Sequence, residues 1–384
     1  MASATIHARR EVLRLLHRNL DLRAFFDRAD AALTRLVPFD SSCWLSVDPA
    51  THLPTSHFSH EFTSDHLMLL AANEFLEDDV NKFCDLGVAA RPVGVLSEVT
   101  GGDPSVSRRY VTLLAPNGYG HGDELRAVFR EGESVWGCLA IHRRTGDFHP
   151  REAALIADLG PLLAHGIRRA ILRTAFTRRT DTDAAGLILL AADDSVESIT
   201  PTARRWLGEL EDSTAASTPV PLIVTSVAHR ARAAVRGMDH DLASSRVPRR
   251  GGGWLRIDAS VLDTDPDGRV AIIIHPAREP EVAPIIVAAY GLSAREREVT
   301  GLVLQGRSTE QIARQMDVSA YTVQDHLKAI FDKVGVRSRR ELVAELFLQQ
   351  CAPRLRDGST PGSDGWFVTD EDGSGARLEA VGGA

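Results

Sequence analysis

Hydrophobic positions change their spacing several times along this chain. Ile6, Val12, Leu13, Leu15 and Leu16, then Leu20, Leu22, Phe25, Phe26, Ala31, Leu33, Leu36 and Val37, recur at helical spacing. Pro38 ends that pattern. Ser42 to Val47 reads as a strand and Asp48-Pro49-Ala50-Thr51 as a turn. A second helix is expected from Asp65 to about Leu76, then loops from Gly101 to Gly122. Glu124 to Arg130 and Val135 to His142 alternate around a turn at Glu131-Gly132-Glu133, which predicts a hairpin. A long helix follows from Pro150 to about Arg178, with Pro150 in its first turn and a bend at Gly160-Pro161.

A second mixed stretch begins with the apolar strand Gly186 to Leu190 and a turn at Asp193-Asp194. Thr200-Pro201-Thr202-Ala203 reads as a helix start, Ser213 to Pro219 as a loop and Val227 to Arg236 as a helix. Arg249 to Ala259 and Val270 to His275 read as two strands around Asp263 to Gly268. Pro276 to Pro284 is a proline-punctuated linker. From Ile285 to Gln350 the pattern is helical almost throughout, and the Gly-, Ser- and Asp-rich segment after Cys351 has no core pattern and is expected to be disordered.

Length and composition bound this picture. At roughly 150 residues per domain, 384 residues suggest two or three domains, and a 43% hydrophobic fraction can supply their cores. No apolar run approaches the ~20 residues that cross a bilayer, and the first residues lack the apolar core of a signal peptide. No membrane association and a cytoplasmic location are therefore expected. Cys43, Cys84, Cys138 and Cys351 show no paired spacing, so free thiols are expected rather than a zinc site or disulfides. The net charge of −8 excludes a basic coat over the whole protein but not a local DNA-binding surface.

The third stretch carries the clearest chemistry. Ser293 and Glu296 form a capping box before a helix with Val299, Leu302 and Val303 on one face, ended by Gly306. Ser308 caps a helix to about Met316 whose core face is Ile312, Ala313 and Met316; the small Ala313 suits a close helix crossing. Asp317-Val318-Ser319 makes a tight turn, and Ser319 caps a third helix with Val323, Leu327, Ile330, Phe331 and Val334 as its apolar stripe. Tyr321, Gln324, Asp325 and Lys328 share the opposite face, and Gly335 ends the helix. Ser338 and Glu341 read as another capping box, before a fourth helix burying Leu342, Val343, Leu346 and Phe347. A helix-turn-helix can place its second helix in the major groove. There Gln can pair with adenine, Lys with guanine and an acid with cytosine N4. Ser319, Tyr321, Thr322, Arg337, Arg339 and Arg340 are candidate phosphate contacts; Ser308, Thr309 and Lys333 complete the candidate DNA-binding set.

Four blocks in register, Leu292 to Val299, Gly306 to Ala313, Val318 to Leu327 and Lys333 to Arg339, resemble the LuxR/FixJ-type helix-turn-helix domain. That resemblance implies a four-helix domain that binds double-stranded DNA as a homodimer, with Gln324, Asp325 and Lys328 facing the bases. Many family members carry Lys where Gln324 stands, and Asp325 makes the face less basic still, so the base-reading role of Asp325 is less secure unless it pairs with a base edge or with Lys328.

The order helix, strand, turn, loops, hairpin, long helix over Leu20 to Arg173 resembles a GAF domain, and Gly186 to about Ala277 resembles a PAS-like fold. Both families comprise small-molecule sensors and dimerisation modules. The expected architecture is a multidomain α+β chain: a GAF-like antiparallel-sheet sensor domain at 1–179, a PAS-like one at 180–280, an all-α four-helix LuxR-type helix-turn-helix domain at 285–350 and the tail at 352–384. Trp44, Phe62, Phe83, Trp136 and Cys138 are expected as core, with a ligand pocket as the alternative. His57, His60 and His66 lie near Glu61 and Asp65; a solvated loop is expected there rather than a metal site. Gly118 to Gly122 lacks the flanking strand and helix of a phosphate loop, and Gly251 to Gly253 reads as a turn.

The expected function is a sequence-specific transcriptional regulator whose sensor half controls the helix-turn-helix, with no cofactor, an unidentified small-molecule ligand and RNA polymerase as a further partner. Two alternatives stand beside it. One is a signal-sensing interaction protein without DNA binding, which the net charge and Asp325 favour. The other is an enzyme with a regulatory tail, for which the acids at Asp193-Asp194 and Asp239-His240-Asp241 lack a recognisable nucleophile.

Overall fold

The computed structural model describes residues 10, 12–16, 18, 20–60, 63–132, 134–175, 184–210, 220–250, 252–262, 268–277, 281–282, 285 and 288–343. The tail, Phe62, Glu61, Leu346, Phe347 and Cys351 lie outside these residues, as do the expected loops at 213–219 and 263–267. Two compact units are present, Met1–Ala289 and Tyr290–Ala384.

In the first unit, β1 (Ser41–Val47) is buried along its whole length, because both faces of its sheet are covered. Its sheet contains β2 (Pro54–His60), β3 (Val93–Val95), β5 (Glu124–Glu131) and β6 (Ser134–His142), in the order β2-β1-β6-β5-β3, with every pair antiparallel. Two further strands, β4 (His121–Gly122) and β7 (Thr145–Gly146), form a separate two-residue parallel pair. One face carries Trp44, Phe129, Trp136, Leu139 and Ile141, packed against α1 (Leu22–Thr34) and the long α5 (Pro150–Ala175). Asp21 caps α1 by accepting from Ala24 N. Trp44 satisfies its buried indole N–H on Asp30, 2.8 Å away.

The other face of this sheet lies under α2 (Ser64–Leu76) and α3 (Phe83–Val88), and carries Cys43, Leu45, Val128 and Cys138; the short α4 (Leu96–Val99) follows β3. Here the chain buries charge. Arg109 donates to both oxygens of Glu124 and to Asn73, lies 3.4 Å from Asp79, and is 1% exposed. His142 lies 3.2 Å from the same Glu124 carboxylate. Burial alone would raise the Glu124 carboxyl, but Arg109 and His142 hold it well below the ordinary carboxylate range.

The second half of this unit repeats the arrangement. β8 (Gly186–Leu190), β9 (Val196–Ile199), β10 (Ser244–Pro248), β11 (Trp254–Val261) and β12 (Val270–Pro276) form an antiparallel sheet in the order β10-β11-β12-β8-β9. Counted within each sheet, the order is 2-1-5-4-3 in both. Thr200 caps α6 (Pro201–Leu207), with Pro201 in its first turn. The next helix, α7 (Leu222–Val235), is buried from Leu222 to Ala233 because it packs on its own sheet, on β2 and on α2. It therefore joins the two halves.

Several expectations needed correction. β2 did not stand out in the pattern, because Pro54 to His60 contains a single large apolar side chain, Phe58, and β9 did not because it is only four residues long. His57 is 2% exposed on β2 opposite Leu45, not in a solvated loop. His66 sits at the third position of α2, where it accepts from Thr63 N. No metal-holding cluster of His, Cys, Asp or Glu occurs among the described residues. The α7 helix begins at Leu222 rather than Val227, and the strand expected from Arg249 starts at Trp254, with β10 before it. Asp194 bonds His229 Nε2 at 2.7 Å and also Arg232, while Asp239 pairs with Arg230 at 3.0 Å. Both acidic clusters thus partner the basic side chains of α7. Cys43 and Cys138 are buried free thiols, and Cys84 is an exposed one.

Candidate nucleic-acid interface

In the second unit, local capping sets the boundaries of α8, α9 and α10. Ser293 and Glu296 close a capping box on α8 (Ala294–Leu304), where Val299, Leu302 and Val303 are buried. Gly306, at φ +77°, supplies the left-handed turn after it. Ser308 and Gln311 close a second box on α9 (Thr309–Met316), which buries Ile312, Ala313 and Met316. Asp317 takes φ +54°, and Val318 N donates back to Ala313 O at 3.0 Å, so the chain reverses within three residues. Ser319 then caps α10 (Ala320–Val334) by accepting from Thr322 N. Val323, Leu327 and Ile330 face inward against α8 and α9, and Gly335 ends the helix at φ +79°. Leu342 of α11 (Arg339–Val343) is fully buried.

This is a helix-turn-helix, and the side of α10 away from α8 and α9 is exposed. Tyr321 is 73% exposed, and Gln324, Asp325 and Lys328 are exposed beside it on α10. The period of 3.6 residues that buries Val323, Leu327 and Ile330 turns these four outward.

Residues 291–346 match the family described as bacterial regulatory proteins, luxR family. They form a luxR-family domain. Over 57 residues the chain is 47% identical to a monoamine regulon transcriptional regulator of Klebsiella aerogenes, covering 15% of this chain and 25% of that one. Over 74 residues it is 38% identical to the HTH-type transcriptional regulator MalT of Yersinia pestis (strain Pestoides F), covering 19% of this chain and 8% of that one. The chain therefore spans a quarter or less of these curated relatives. A solved structure of a Vibrio cholerae VqmA–ligand–DNA complex aligns over 44% of this chain and 83% of that one, at 20% identity and a TM-score of 0.21.

Within the luxR-family domain the sequence-based candidates separate into two groups. Tyr321, Gln324, Asp325, Lys328 and Arg337 are exposed. Ser308, Ser319 and Thr322 hold helix starts together: Ser319 Oγ lies 2.8 Å from Thr322 Oγ1, and Ser308 Oγ accepts from Gln311 N. Thr309 is half-buried in the first turn of α9. Lys333 Nζ bonds Glu296 Oε2 at 2.6 Å, which fastens α10 to α8. Arg339 donates to the carbonyl of Arg307, closing the α8–α9 turn on α11. Glu341 accepts from Arg337 N at 2.8 Å rather than from Ser338 N, so only the Ser338 half of the expected capping box forms. Sequence reading missed the engagements of Lys333 and Arg339, because their partners lie over thirty residues away.

A second candidate site lies in the first unit, where α2, α3 and the sheet meet α7. A cavity of about 470 Å³ is lined by Leu45, Phe83, Arg126 and Cys138 from the first half and by Leu222 and Ser226 from the second. Phe83 and Cys138 thus line a pocket, while Trp44 and Trp136 belong to the core on the opposite face. Two of the thiols facing this cavity, Cys84 and Cys138, are raised above the ordinary thiol value. Partial desolvation at the cavity mouth, then Glu74 and Asp85, push Cys84 up to about 11, and full burial and Glu74 raise Cys138 further.

Proposed function

We propose that this chain is a sequence-specific, DNA-binding transcriptional regulator whose first unit senses a small molecule and controls the helix-turn-helix. The observation that carries the reading is the exposed quartet of Tyr321, Gln324, Asp325 and Lys328 on a helix whose other side is locked into a core. Gln324 is suited to an adenine edge, Lys328 to guanine and Asp325 to the amino group of cytosine. Arg337, Ser319 and Thr322 lie where backbone contacts would fix the register. The transcriptional regulators matched over this segment support the same reading.

The first unit is read as a GAF-like half followed by a PAS-like half. What supports this is the repeated 2-1-5-4-3 strand order and the cavity under α2 and α3. Two copies would pair to read two half-sites, with RNA polymerase as the further partner. The cytoplasmic reading has beside it that no helix among the described residues is long and apolar enough to cross a membrane. The reading assigns no catalysis and no cofactor.

Binding of a labelled duplex pool by the full chain, titrated across salt, tests this function. Binding that weakens steeply as salt rises, with some sequences retained at high salt, is expected. No binding even at low salt would instead support an interaction protein without DNA binding.

A further inference from the structure

Among the described residues, Arg126 has two buried side-chain N–H groups without a partner. It lies on β5, is 4% exposed, and its guanidinium carbon sits 3.7 Å from the centre of the Phe83 ring. Nη2 donates to Glu74 Oε2 at 2.9 Å. Nε and Nη1 are also buried, and neither has a hydrogen-bond partner among the described residues. Buried N–H groups are normally paired.

The carboxylates nearest Arg126 are engaged elsewhere. Glu74 Oε1 accepts from Phe83 N and Cys84 N, and the Glu124 carboxylate is held by Arg109 and His142. An acceptor that completes Arg126 therefore has to enter the cavity that Arg126 lines.

Charge decides what kind of acceptor fits. The cavity wall carries Glu74, Glu124, Asp239 and Asp241 against Lys82, Arg126 and Arg230, with Arg109 paired behind Glu124, so it has no net positive charge. Each of those cations is already engaged: Lys82 with the Glu77 carbonyl, Arg126 with Glu74, and Arg230 with Asp239. A carboxylate or phosphate ligand would add a negative charge to a wall with no net positive charge, at a desolvation cost. A purely hydrocarbon ligand would leave both N–H groups unmet. The volume, about 470 Å³, is within the range for small-molecule sites.

We propose that this cavity takes an uncharged, mainly apolar organic molecule that presents a carbonyl oxygen or ring nitrogen to Arg126. This deepens the sensor reading above and rests on it. Because Leu222 and Ser226 of α7 also form the wall, such a molecule touches both halves at once, and its binding raises the unfolding temperature of the whole unit.

Three probes of matched shape test the proposal on the full chain at neutral pH: benzylacetone (a ketone), hydrocinnamate (the matching carboxylate) and butylbenzene (the matching hydrocarbon). Their affinities are read by ligand-observed NMR titration. Benzylacetone is expected to bind on the order of tenfold more tightly than either other probe, the loss expected when a buried donor is left unmet. Arg126→Met is expected to abolish that preference, bringing the ketone level with the hydrocarbon. Tightest binding of hydrocinnamate, equal binding of all three, or no binding of any overturns the proposal. The wild-type ranking decides the matter even where Arg126→Met does not fold. A protein that retains DNA but ignores all three probes loses this assignment and keeps its regulatory one; a protein that prefers benzylacetone but never retains DNA does the reverse.

Discussion

Lys333 Nζ donates to Glu296 Oε2 across 2.6 Å, tying the end of the exposed-face helix to the first turn of α8. Glu296 is 6% exposed and also accepts from Ser293 N, so one carboxylate serves a helix cap and a tertiary ion pair.

Lys333→Met should therefore cost stability rather than DNA affinity. With Lys333 itself 40% exposed, solvent screening limits the loss to about 1 kcal/mol. Lys328→Met should leave the melting temperature unchanged within error and weaken DNA binding, since Lys328 is exposed on the uncovered face. Thermal melts and salt titrations of both variants separate the roles. A lowered salt slope for Lys333→Met with unchanged melting contradicts this assignment.

Acid should weaken both units. Burial would raise the carboxyls of Glu296, Asp194 and Glu124, but their partners, Lys333, His229 and Arg109 respectively, bring each below its ordinary value. A folded-state pKa below the unfolded one gives stability that is complete above the unfolded value, about 4, and is lost as pH falls through the folded one. The urea midpoint is expected to fall between pH 6 and pH 3. Asp194→Asn should flatten that fall for the first unit and leave the second unit's transition alone. An acid profile with no fall would contradict these pairings.

Gly166→Ala should destabilise the first unit even though alanine is the better helix former. A Cβ at Gly166 would lie 2.2 Å from the Phe25 ring, which packs in the core between α1 and α5. Helix propensity favours alanine by about 1 kcal/mol. Overpacking costs about 1–3 kcal/mol, and a ring in a filled core has little room to yield. A melting temperature lowered by several degrees is expected; an increase would show that Phe25 can move aside.

How much of this was legible followed the range of the forces involved. Ser293, Ser308, Ser319, Gly306 and Gly335 mark helix ends through bonds within four or five residues, so the helix-turn-helix stood out in the sequence together with its exposed face. β2 did not, since its burial comes from α7 and from Ser245, whose hydroxyl donates to the Pro54 carbonyl across 191 positions of sequence. Glu124 and Arg126 alternate with Leu125 and Ala127, a pattern that suggests a solvent-facing side. That side is instead buried under α2 and α3, and its charges find partners in Arg109, which lies in a stretch expected as loop, and in Glu74. The cavity depends on both halves of the first unit and has no local signature.

Selection of bound duplexes from a random pool, using the full chain and a Gln324→Ala, Lys328→Ala double variant, tests the central claim most directly. The account predicts that the wild type enriches an inverted-repeat motif and that the double variant, folded to the same melting temperature, loses it. Enrichment of the same motif by both proteins would contradict the assignment of α10 as the reading helix, and enrichment by neither, at low salt, would contradict DNA recognition itself.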